Sequence, residues 1–131
     1  MNSKGAEKMD ITKEVEKVFD DYMKERNYIP NYAKVLSEEA PEFLVKWFDT
    51  RRAFMLKEGA LPTKFKELLL VNGAATRMVE NSVNMHTKTA LLAGATKQEL
   101  VETALCAWLT GGMPSLSLCM NALEKALKDA K

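Results

Sequence analysis

Apolar positions recur at intervals of three and four residues along almost the whole chain, which is the period of helices that each bury one face. Ile11, Val15, Val18, Phe19 and Tyr22 form the first such stripe, with Asp10 or Thr12 placed to cap it. The Asn- and Pro-punctuated stretch Arg26 to Tyr32 reads as a loop, and a short helix follows to about Ser37. Pro41 suits a first helical position, where its missing N–H costs nothing. The helix it opens carries Phe43, Leu44, Trp47, Phe48, Phe54 and Met55 and stops at Gly59. Pro62 or Thr63 opens the next, through Phe65, Leu68, Leu69, Leu70 and Val71, with Gly73 in or near a break. Residues 74–92 read as one further helix, closed by Gly94-Ala95-Thr96.

The strongest start signal is Thr96-Lys97-Gln98-Glu99, a capping box in which the threonine hydroxyl and the glutamate carboxylate satisfy each other's backbone N–H. The helix it begins runs through Leu100, Val101, Ala104, Leu105 and Trp108. Gly111-Gly112 is expected to stop it and Pro114 to restart the chain as a last helix to about Lys128. No stretch alternates apolar and polar residues as a half-buried strand does. The expected fold is therefore all-α: a single compact helical domain of about six helices. It would span residues 10–131, with residues 1–9 (MNSKGAEKM) as a disordered, polar lead-in.

Composition narrows the function. A chain of 131 residues with 47% hydrophobic and 28% charged residues is an ordinary globular domain. A net charge of +1 argues against nucleic acid or an anionic membrane as main partner and leaves self-association unopposed. The N-terminus has no apolar core of a secretory signal, and no apolar run approaches the roughly 20 residues that span a bilayer. A cytoplasmic protein is the expectation. Cys106 and Cys119 fit neither a C-x-x-C redox pair nor a zinc site, and are expected to be small buried residues in a reducing compartment.

Candidate chemistry centres on His86, the one histidine and the one side chain whose ordinary pKa lies near neutrality. Ser82 is one helical turn before it and Val79 a further turn back, so the three share a stripe. A hydroxyl and an imidazole at that spacing are the least that a base acting on a nucleophile or a bound water requires. Packing is the simpler role for each: a hydrogen-bonded histidine and a small serine that lets helices approach. Glu67 interrupts the apolar run 65–71. It is either a solvated face residue beside Lys64 and Lys66 or a carboxylate that orients His86 from a neighbouring helix.

Several segments together resemble the carboxymuconolactone decarboxylase and alkylhydroperoxidase D family. Lys66 to Val71 (KELLLV) is similar to its K-E-L helix, and Met85 to Glu99 (MHTKTALLAGATKQE) to its histidine helix, Gly-Ala-Thr turn and next helix start. Gly111-Gly112-Met113-Pro114 resembles the G-G-x-P element. Ile29-Pro30-Asn31, Pro41-Glu42-Phe43 and Leu56 to Leu61 (LKEGAL) follow a looser pattern. The likeness runs from about Ile29 to Ala126. In the family's peroxidase branch a glutamate, a C-x-x-C pair and a histidine share this spacing. Glu67 and His86 match, whereas Val79 and Ser82 stand where the cysteines would be.

That departure tells against thiol peroxidase chemistry, which needs a thiolate to attack peroxide and a second thiol to resolve the sulfenic acid. The resemblance then implies the decarboxylase-like side of the family: general acid/base chemistry on a small lactone or carboxylate, a lyase without cofactor or metal. His86 would be the acid or base, Glu67 its orienter and Ser82 a polar contact. Arg77 is a candidate carboxylate holder by sequence proximity. The resemblance also implies a trimer or hexamer, in keeping with Trp47, Phe48, Phe54, Trp108 and eight methionines in so small a chain. Two other readings stay open: a non-catalytic oligomeric scaffold or ligand binder, and peroxidase activity through Cys106 or Cys119.

Overall fold

The computed structural model describes the backbone of residues 3–57 and 59–130, and side chains from Asp10 onward. Six helices account for nearly all of it: α1 (Ser3–Arg26), α2 (Asn31–Glu39), α3 (Pro41–Leu56), α4 (Thr63–Thr76), α5 (Glu80–Leu92) and α6 (Lys97–Asp129). No strand occurs among the described residues, so the all-α expectation holds. The helices fall into two compact units, Met1–Leu56 and Lys57–Lys131.

In the first unit, α1 and α2 pack on α3. Its core is Val18, Tyr22, Ala33, Leu44, Val45 and Phe48. The Tyr22 and Phe48 rings tilt against each other at 4.8 Å, and Tyr22 shares a 3.1 Å hydroxyl contact with Tyr32. Burial, and then that hydrogen bond, push the Tyr22 hydroxyl above the ordinary phenol range. α1 is helical from Ser3, earlier than the apolar stripe reveals. Ala6, Glu7 and Lys8 are good helix formers, and extending an existing helix needs no new nucleus. Of the expected disordered lead-in, Met1 and Asn2 lie outside the described residues.

The second unit packs α4, α5 and α6 against one another around Val71, Ala75, Val83, Ala90, Leu100, Ala104, Ala107, Cys119 and Ala122. So many alanines let the three helix backbones approach closely. Two helix ends depart from expectation. Residues 74–92 are not one helix: α4 ends at Thr76, and Met78 takes a left-handed φ of 58°. The N–H of Val79 returns to the Ala74 carbonyl and that of Met78 to Ala75, both at 3.0 Å. This is the Schellman closure that glycine usually makes, and methionine gives no turn signal in sequence. Gly73 instead lies inside α4. The same closure recurs at the end of α5, there with Gly94 at φ 93° and Ala95 N–H on the Ala90 carbonyl.

Gly111-Gly112 interrupts the helix as expected: α6 is two helical stretches joined across a kink. Gly112 leaves helical geometry (φ 78°, ψ −173°), and the second stretch resumes around Pro114 and runs to Asp129. The capping box forms as expected, with Glu99 N–H to Thr96 Oγ1 at 3.1 Å and Thr96 N–H to Glu99 Oε2 at 2.9 Å. No helix of the described residues is long and apolar enough to cross a membrane.

Candidate functional site: a glutamate–histidine pair between two helices

Glu67, Val71 and Ala75 recur every fourth residue on α4 and are all buried. Glu67 is thus carried inward by the stripe that seats α4 in its core, and its neighbour Lys66 escapes through a 2.9 Å bond from Nζ to the Lys57 carbonyl. On α5 the buried stripe is Val83, Thr87 and Ala90. His86 and Thr89 flank that stripe. Packing α4 on α5 brings Glu67 Oε2 within 2.8 Å of His86 Nδ1 and 2.8 Å of Thr89 Oγ1. The side chains are 6% exposed for Glu67 and 12% for His86, so the pair is largely shielded from water.

The other ring nitrogen has a different setting. His86 Nε2 has no hydrogen-bond partner among the described residues. An ionised carboxylate only accepts hydrogen bonds. Beside an ionised Glu67, a neutral ring would carry its proton on Nδ1 and leave a lone pair on Nε2.

Ser82 is half-buried one turn before His86, but no hydrogen bond joins the two among the described residues. The imidazole turns to Glu67 instead. Val79 is exposed at the N-cap of α5, and Arg77 is exposed at the C-cap of α4. Cys119 is buried, which pushes its thiol pKa up. Cys106 is exposed, contrary to the expectation that both cysteines are buried. It opens onto a groove of about 370 Å³ with Leu61, Phe65, Leu69 and Asn72, which neither Glu67 nor His86 lines. Among the described residues no group of three His, Cys, Asp or Glu side chains converges as metal ligands would. Thr89 was not among the residues singled out in the sequence. Its signal was slight: a hydroxyl one turn beyond the histidine on a mostly apolar helix.

The sequence profile of the carboxymuconolactone decarboxylase family matches residues 41–125. The chain belongs to the carboxymuconolactone decarboxylase family. The match takes in α4 and α5, and so both members of the pair. Two solved structures of the family are similar over nearly their whole lengths. One, from Burkholderia xenovorans LB400 and assigned as a carboxymuconolactone decarboxylase, is 26% identical with a TM-score of 0.75, over 92% of this chain and 96% of that one. The other, a carboxymuconolactone decarboxylase family protein from Legionella pneumophila in its apo form, is 28% identical with a TM-score of 0.66, over 89% and 97%. No curated protein matches the chain.

Proposed function

We propose that this family member carries out general acid/base chemistry on a small lactone or carboxylate, with His86 Nε2 as the atom that moves the proton. The observation that carries the reading is the 2.8 Å contact between Glu67 and His86 Nδ1, which leaves Nε2 open. Glu67 stabilises the imidazolium that forms when Nε2 takes a proton, so the histidine can cycle between its two states. In a decarboxylation the bond to the departing carboxylate breaks and CO₂ leaves. Its electron pair stays on the carbon as an enolate, and the protonated Nε2 delivers a proton there. Val79 and Ser82 in place of thiols favour this course over peroxide reduction. Ser82, close in sequence on the same helix, is assigned a polar contact to substrate.

A panel of small lactone carboxylates, followed by CO₂ release, tests the reading. His86→Ala should lower whatever turnover is found by about 10²- to 10⁴-fold. Intact turnover in that variant refutes the role of His86. Binding across the panel without turnover favours a non-catalytic ligand-binding protein. We also assign a second copy of this chain to the exposed apolar residues Leu105, Trp108, Leu109 and Met113 of α6. Light scattering on the purified protein should give a trimer or hexamer; a monomer at micromolar concentration overturns that assignment.

A further inference from the structure

We infer that Thr89 is a positioning residue: its hydroxyl holds the Glu67 carboxylate so that His86 is locked as the Nδ1–H tautomer, with Nε2 as the free base. The use of that lock rests on the acid/base reading above, whereas the lock itself rests on geometry. Thr89 Oγ1 has three acceptors in range: Glu67 Oε2 at 2.8 Å, the Met85 carbonyl at 3.1 Å and the His86 carbonyl at 3.2 Å. A hydroxyl has one proton to give. In an ordinary helix a threonine gives it to the carbonyl one turn back. Here the carboxylate is both nearest and charged, and a charge-assisted bond is roughly twice as strong as a neutral one. The proton therefore goes to Glu67, and the two carbonyls keep their backbone partners.

The same oxygen, Oε2, also receives His86 Nδ1 at 2.8 Å. Two donors three residues apart on α5 thus meet one carboxylate oxygen from α4. A glutamate has three side-chain torsions, and each donor on Oε2 removes some of the carboxyl's freedom. The second donor fixes where Oε2 sits, and so which ring nitrogen faces it. Residues that hold a histidine through its other nitrogen decide its tautomer and direction. Ser82, without a bond to the ring, does not do this.

The chain has one histidine, so the ¹⁵N spectrum of its imidazole is free of overlap. Long-range ¹H–¹⁵N correlation on the full-length, ¹⁵N-labelled protein, recorded on the neutral imidazole, should place Nδ1 in the protonated range and Nε2 in the unprotonated range. Thr89→Val keeps the shape and removes the donor. It should shift the tautomer ratio toward Nε2–H by about tenfold, the equivalent of one charge-assisted hydrogen bond. Thr89→Ser should restore the wild-type ratio. A wild-type spectrum with the proton on Nε2 overturns the proposal, as does a Thr89→Val spectrum identical to wild type. If the valine variant does not fold, Thr89→Ala serves as the second donor-free variant. The tautomer is read without substrate: a locked Nδ1–H form in a protein that turns over nothing on the panel sinks the acid/base reading and leaves the role of Thr89 standing.

Discussion

Gly73 and Gly111 both lie within helices of the second unit, yet replacing each by alanine should move stability in opposite directions. A Cβ on Gly73 meets nothing within 4 Å. Alanine there stiffens the unfolded chain and favours the helix, for a gain of about 0.5–1 kcal/mol. A Cβ on Gly111 would lie 2.1 Å from Ser115 Oγ, 2.9 Å from Ser115 Cβ and 3.3 Å from Thr76 Cα. The hydroxyl could rotate away, but the Cβ contact with a fully buried Ser115 and the approach to the α4 backbone cannot relax without shifting one helix. Overpacking of this kind costs about 1–3 kcal/mol. At about 4 °C per kcal/mol for a chain of this size, Gly111→Ala should lower Tm by about 4–12 °C and Gly73→Ala should raise it by about 2–4 °C. Thermal melts by circular dichroism suffice. The double variant Gly111→Ala/Ser115→Gly removes both Ser115 contacts and should recover most of the loss. Shifts of the same sign for the two glycines, or no recovery in the double variant, would refute the steric account of how α6 seats on the helix that carries Glu67.

Thr87→Val should stabilise the protein by about 1–3 kcal/mol, because Thr87 is 1% exposed and its hydroxyl has no partner among the described residues; a lower denaturation midpoint contradicts this. Thr96→Ala should cost about 1 kcal/mol through loss of the capping box, read from chemical denaturation. The Thr96 backbone N–H, and then Lys64 at 3.0 Å, hold the Glu99 carboxyl below its ordinary pKa. Its stabilising contribution is therefore present above the unfolded pKa and lost as pH falls through the folded value. Glu99→Gln should flatten the pH dependence of the melt in that acid range, and an unchanged profile would show the contribution to be absent. A thiol reagent at neutral pH should label exposed Cys106 far faster than buried Cys119, counted by mass spectrometry; equal rates would contradict the burial difference.

Much of this was legible in the residues themselves. Period, proline and capping chemistry located the helices, and the capping box at Thr96 formed atom for atom because its partners are three residues apart. Breaks made by residues without turn chemistry were not legible. Met78 carries no sign of its left-handed turn, so the sequence places the start of α5 too early, whereas Gly111-Gly112 and Pro114 do mark the kink inside α6.

The sequence by itself determined which groups are present: one imidazole, one acidic interruption on an apolar face nineteen residues upstream, and no thiols at the two motif positions between them. Tertiary structure alone decided that Glu67 meets His86 from another helix, that Thr89 rather than Ser82 completes the contact, and that Cys106 faces outward while Cys119 does not. The physical reason is range. Capping and periodicity act within a few residues and are written in local order. A 2.8 Å contact between α4 and α5 depends on how two apolar stripes of alanine and valine settle against each other, and no local rule encodes that angle.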